Sequence, residues 1–125
     1  MAAIHDADAV ADYRGNEIKT IEIKAMSVAK AIAHLPVVDF MHVDIQGGEE
    51  ELIPALLDSL DASVRMLFIG THNRKIEGDF IELLGARGWS LLRERPCQFY
   101  PMSVAPTLTG RTYMDGAQLW HNPRV

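Results

Sequence analysis

The sequence predicts an α/β fold with a mainly parallel sheet, and three observations carry that reading. Val37–Ile45 and Val64–Thr71 are strongly apolar runs of strand length. A strand buried on both faces reads as such a near-continuous run, the mark of a parallel sheet covered by helices. Between the two runs, Leu52, Ile53, Leu56, Leu57 and Leu60 recur three and four apart, which places them on one face of a helix. Strand, helix, strand with short joins is a crossover, and it makes the two strands parallel and adjacent in the sheet's centre.

The remaining elements follow in order. Residues 1–12 are small and polar and are expected to fray, and residues 1–17 as a whole read as a flexible N-terminal segment before a folded region, 18–125. Arg14-Gly15-Asn16-Glu17 is a turn signal ahead of a short strand, Ile18–Ile23. Ser27 is placed to cap a helix, Val28–His34, that ends before Pro36. The central helix runs from Glu49 to Leu60, with Glu49, Glu50 and Glu51 in the first turn, where negative charge meets the positive helix end. Pro54 is tolerated near that end. Phe80–Arg87 reads as a third helix, with Gly88 suited to follow it. Trp89–Glu94 is a strand, 96–112 a long loop holding three prolines, and Thr112–Trp120 a last strand antiparallel to Trp89–Glu94.

The totals exclude several classes. At 125 residues the chain fits one domain, and its 48% apolar and 23% charged residues are ordinary globular values. A formal charge of −5 disfavours nucleic acid and anionic membrane surfaces, which need basic patches. Cys97 is the single cysteine, so no intramolecular disulfide and no thiolate zinc cluster is possible; it reads as a packing residue. No signal peptide and no membrane span is visible, and a reducing, cytoplasmic setting is expected.

In parallel sheets ligands bind outside the carboxyl ends of the strands. Asp44, Gln46 and Glu49 fall at that edge, and His72, after the next strand, falls on the same edge. Asp44 there can orient a hydroxyl, accept a proton or ligate a metal; otherwise its carboxylate accepts backbone N–H groups from the Gly47-Gly48 turn. Glu49 is a substrate contact or a first-turn acid serving the helix end. Gly47 and Gly48 form a tight turn rather than a phosphate cradle, because three adjacent glutamates repel an anion. His72 is a general base, since histidine changes charge near neutral pH, or else a surface residue opening a loop, His72–Gly78. Asp44, Glu49 and His72 could together hold a divalent cation, but their spacing is not diagnostic and no metal is assigned. His42, inside its strand, reads as a packed core residue. Phe99, Tyr100, Tyr113 and Trp120 read as core rather than pocket lining, and Arg93, Arg95 and Arg111 as solvated.

The segment Val38-Asp39-Phe40-Met41-His42-Val43-Asp44-Ile45-Gln46-Gly47-Gly48-Glu49 resembles the signature of FkbM-type S-adenosylmethionine (SAM)-dependent methyltransferases, an apolar strand, a Lys-x-Asp-x-Glu-Gly-x-Glu core and a helix. Asp44, Gly47 and Glu49 match; His42 stands at the usual lysine and Gln46 at the first glutamate. Phe68-Ile69-Gly70-Thr71-His72 resembles the family's next strand, and Leu83-Leu84-Gly85-Ala86-Arg87-Gly88-Trp89 its helix exit. The resemblance covers residues 18–120 and concerns the C-terminal half of such an enzyme, so it implies a three-layer Rossmann-like half-domain with a C-terminal antiparallel hairpin. The family's Gly-rich D-x-G-A-N-x-G turn, which lets the backbone approach the cofactor, has no counterpart in the sequence.

Two readings of function result. In the first, the chain derives from a SAM-dependent O-methyltransferase acting on a hydroxyl of a sugar or small metabolite, with Asp44 or His72 as the base and Gln46 and Glu49 as substrate contacts. This chain alone is expected to bind SAM weakly or not at all and to be inactive. In the second it is a noncatalytic α/β module. Either way it is expected to form a homo-oligomer or to complement a missing N-terminal half.

Overall fold

The computed structural model describes residues 2–4 and 21–125. The chain divides into two compact units, Met1–His34 and Leu35–Val125. In the first, β1 (Ala2–Ile4) pairs antiparallel with β2 (Ile23–Ala25). The Ser27 hydroxyl accepts from the Lys30 amide and caps α1 (Val28–Ile32), the short helix expected there. Of the segment expected to fray, Ala2–Ile4 form β1; the rest of it, the turn at Arg14–Glu17 and residues 18–20 of the first strand lie outside the described residues.

The second unit holds β3 (Val38–Val43), α2 (Glu49–Ser63), β4 (Val64–Thr71), α3 (Arg74–Ala86), β5 (Ser90–Arg95), β6 (Gln98–Phe99), α4 (Leu108–Arg111), β7 (Thr112–Met114) and β8 (Gly116–His121). Its main sheet has the order β3-β4-β8-β5, and β6 and β7 form a separate hairpin. β3 and β4 are parallel and adjacent, as the apolar runs predict. β8 is antiparallel to both of its neighbours, β4 and β5. The sheet is therefore mixed rather than mainly parallel, and among the described residues β3 is at its edge rather than its centre. The physical reason is the last strand, which enters between β4 and β5 instead of extending the sheet beyond β5.

Both crossovers, β3 to β4 and β4 to β5, step the same way across the sheet. Right-handed connections then lay α2 and α3 on one face. The helices lie side by side there: Arg87 at the end of α3 bonds to Asp58 and Asp61 of α2, and Lys75 to Glu50. Under them, Ile53, Leu56 and Leu60 of α2 and Ile76, Phe80 and Leu84 of α3 pack with Leu67, Ile69 and Trp120 of the sheet, all of them buried. Leu67 stands opposite Trp120, and Ile69 opposite Gln118, so they share a face. Residues of opposite parity, Phe40, His42, Phe68 and Leu119, share the other face. No helix of Leu35–Val125 covers it, so this unit is two-layered rather than three-layered.

That outer face corrects the reading of His42. Its ring stands edge-on to Phe68, with centroids 4.9 Å apart, and it is exposed rather than packed in the core. α3 starts six residues earlier than expected, because the Asn73 side chain accepts from the Ile76 amide at 2.9 Å and caps it. The expected loop His72–Gly78 is thus mostly helix. Cys97 is fully buried, as a packing residue should be, and burial raises its thiol pKa. No helix among the described residues is long and apolar enough to cross a membrane.

Candidate functional site

The chain turns sharply after β3. Gln46 takes a left-handed conformation at φ 59° and Gly47 follows at φ 102°, a region open to glycine but costly for glutamine. This turn drops the chain directly into α2, with Gly48 as a cap that has no side chain to offer. Glu49 supplies the missing acceptor. Its fully buried carboxylate reaches back and takes the Ile45 amide at 2.5 Å and the Gly47 amide at 2.8 Å. Burial alone would raise its pKa; the amides of Ile45, of Glu49 itself and of Gly47, with His72, overcome that and hold it below 4.5. The backbone-binding role open to Asp44 is thus filled by Glu49.

Asp44 keeps its carboxylate free of backbone donors and half-exposed. It lies across Gly70 of β4, where a Cβ would come within 2.7 Å of Asp44 Cγ and 2.8 Å of Oδ1. Only a glycine at position 70 leaves this place for the acid. One residue beyond β4, His72 turns its buried ring into the same space. Its Nε2 is 3.3 Å from Asp44 Oδ1 and 3.4 Å from Glu49 Oε1. On the ring's other side, Nδ1 is 3.2 Å from Asp115 Oδ2.

Asp44, Glu49 and His72 are therefore brought together at the carboxyl ends of β3 and β4, where the sheet rule puts a ligand. Gln46 is exposed on the turn beside them. Asp115 is the member that the sequence reading missed. It interrupts the expected strand Thr112–Trp120, separating β7 from β8, and so arrives at this edge from an antiparallel strand. An Asp-Gly pair inside an alternating run is the signal that could have found it.

The aromatics divide. Trp120 is buried, and its indole N–H donates to Gln118. Tyr100 and Tyr113 stack at 4.2 Å on the surface, and Arg74 lies over Phe99. Arg93 and Arg95 line a small outer-face cavity with Phe68, Ala117 and Leu119. A second buried acid, Glu77 of α3, ties the sheet edge together by accepting from Thr71 Oγ1 at 2.7 Å and the Cys97 amide at 2.8 Å.

Chemically, the cluster is an imidazole flanked by acids on both ring nitrogens, with Asp44 and Asp115 open to solvent and Glu49 buried. It can bind a hydroxyl and hold or pass on its proton.

Over 120 residues the chain is 30% identical to a protein of Jannaschia sp. (strain CCS1) described as "Putative methyltransferase". The match takes in 96% of this chain and 41% of that relative. No family model and no solved structure matches the chain. What the chain is similar to is thus a methyltransferase-named protein, of whose length it spans well under half.

Proposed function

We propose that this chain is the acceptor-side portion of a SAM-dependent O-methyltransferase of FkbM type, acting on a hydroxyl of a sugar or another small metabolite. The observation that carries the reading is the Asp44–His72–Glu49 cluster at the carboxyl edge of two parallel strands. The methyltransferase-named relative supports it, and the FkbM assignment rests on the matching Asp44, Gly47 and Glu49. SAM would supply an electrophilic methyl group, held by sequence that this chain does not contain. The chain's own residues bind and orient the hydroxyl at Asp44, and Asp44 or His72 accepts its proton as the oxygen attacks the methyl carbon. Glu49 keeps the turn and ring in place, and Gln46 offers a further contact from the turn.

The test is a chimera in which this chain replaces the aligned 120 residues of the Jannaschia relative, assayed with methyl-labelled SAM and a panel of sugars and polyols. Label transfer that falls at least ~100-fold in Asp44→Asn supports the reading, in line with the loss of a general base. Transfer indifferent to Asp44→Asn and His72→Asn would remove it. The isolated chain should bind SAM more weakly than micromolar, about −8 kcal/mol; micromolar binding by calorimetry means that a donor cradle lies within these residues.

A noncatalytic reading is favoured by a separate observation. β3 is an edge strand, and Phe40 on it is 56% exposed; edges and apolar faces recruit partners. On this reading the chain self-associates or completes another half-domain. Light scattering at micromolar concentration that finds only a 13.9 kDa monomer argues against self-association.

A further inference from the structure

Among the described residues, His72 Nε2 is the buried side-chain polar atom without a hydrogen-bond partner. Its side chain is only 7% exposed, yet two carboxylate oxygens lie 3.3 and 3.4 Å away. An N–H on Nε2 is aligned with neither oxygen, so an imidazolium bonded to one of them does not explain the arrangement. A bare lone pair facing two carboxylates is worse, since like partial charges are pressed together where water cannot screen them. A cation between the three atoms removes both difficulties.

The spacing fits one. Zinc–nitrogen and zinc–oxygen bonds of about 2.0–2.2 Å set tetrahedral ligand edges of about 3.3–3.6 Å, and the two separations between His72 and the carboxylates match that edge. One ligand atom from each of Asp44, Glu49 and His72 lies within 4.8 Å of the others. Two carboxylates balance a dication's charge. Glu49 Oε1 accepts one amide and keeps a second lone pair. Asp115 Oδ2, 3.2 Å from Nδ1, brings a negative charge to the far side of the ring without an aligned hydrogen bond.

We propose that Asp44, Glu49 and His72 bind one divalent first-row transition cation, with Zn2+ the best match, leaving a fourth position open for an oxygen donor. The site stands on the geometry alone; naming that oxygen as the acceptor hydroxyl rests on the methyltransferase reading. On that reading the cation lowers the pKa of the bound hydroxyl, and because the His72 lone pair is then on the metal, the second oxygen of Asp44 takes the proton.

The experiment uses the chelator-stripped chain with Zn2+ alone in calorimetry and Co2+ alone in visible spectroscopy, with no SAM or acceptor present. One equivalent of Zn2+ should bind, and Co2+ should give the intense visible bands of a tetrahedral centre. Asp44→Asn, at a half-exposed position, and His72→Asn should each weaken binding at least ~10-fold, while His42→Asn leaves it unchanged; circular dichroism confirms that each variant is folded. No binding by the folded wild-type chain at millimolar metal overturns the proposal. So does weak octahedral Co2+ absorption, or wild-type affinity in both site variants. Because methyl transfer is not the readout, failure here leaves the transferase reading standing, and metal binding without transfer leaves this site standing.

Discussion

The two faces of the main sheet are made by the same strands and share almost nothing else. On the inner face Leu67, Ile69 and Trp120 are essentially sealed beneath α2 and α3. On the outer face Phe40 and His42 are exposed, and Phe68 and Leu119 are only partly covered. Alternation along each strand sends successive residues to opposite faces, so β4 carries both characters within eight residues. The difference teaches that stability resides on one side and availability on the other. The acid–histidine cluster sits at the strand ends, where the two meet.

Leu67→Ala should break that comparison hardest. Truncating a sealed leucine costs about 2–5 kcal/mol, whereas Phe40→Ala should cost within about 0.5 kcal/mol. Urea unfolding of the two variants measures the contrast. A Phe40→Ala loss as large as that of Leu67→Ala means that the outer face is packed against something in solution.

Gly70→Ala comes next, because it alters the site through the outer face. Its methyl would occupy the space of the Asp44 carboxyl, and overpacking of this kind costs about 1–3 kcal/mol. Asp44 can swing outward, so the chain should still fold while Zn2+ or acceptor binding drops about tenfold. Unchanged binding in that variant means that Asp44 is not a ligand.

A smaller effect follows from Glu49. Its folded-state pKa is lowered from the ordinary carboxylate value, so it contributes stability at neutral pH that is lost as pH falls through that lowered value. Thermal melts from neutral to acid pH should show Glu49→Gln destabilised at neutral pH with a flatter acid limb than wild type. Parallel curves would mean that the carboxylate's amide bonds do not outweigh its burial.

The smallest change is expected from Gln46→Gly. Relief of a left-handed glutamine should stabilise by about 1 kcal/mol, read as a rise of several degrees in melting temperature. If melting temperature instead falls, the Gln46 side chain makes a contact worth more than the strain.

Much of the helix-covered face was legible, because it follows from local periodicity. β4 begins and ends where the apolar run Val64–Thr71 does, and α2 begins at Glu49 as its acidic first turn indicates. β3 is shorter than its run, losing Val37, Asp44 and Ile45. The start of α3 was hidden by the polar Asn73-Arg74-Lys75 and by Gly78, although Ile76, Phe80 and Leu84 keep a spacing of four. What local pattern could not reveal was strand order. Whether Gly116–His121 lies outside β5 or between β4 and β5 depends on contacts distant in sequence, and that choice turned an expected parallel sheet into a mixed one. At the site, strand-end position was enough to single out Asp44, Glu49 and His72. Which acid would serve the backbone depended on reach: Glu49 is one methylene longer than an aspartate and stands inside the helix's first turn. Asp115 carried a local turn signal in its Asp-Gly pair, but its arrival at this edge depended on strand order.

The Glu77 junction has a consequence for how this fold can diversify. One carboxylate holds both Thr71 at the end of β4 and the Cys97 amide after β5, while Gln118 of β8 donates to the Glu77 carbonyl. The end of β4, the chain after β5 and the body of β8 are thereby locked to one turn of helix, independently of the segment that follows β6. That segment, Tyr100 to Thr107, carries Met102 and Val104 almost wholly in solvent. Lineages can lengthen, shorten or rewrite such a surface loop at little thermodynamic penalty. Such a replacement would leave the geometry of the charged cluster unchanged.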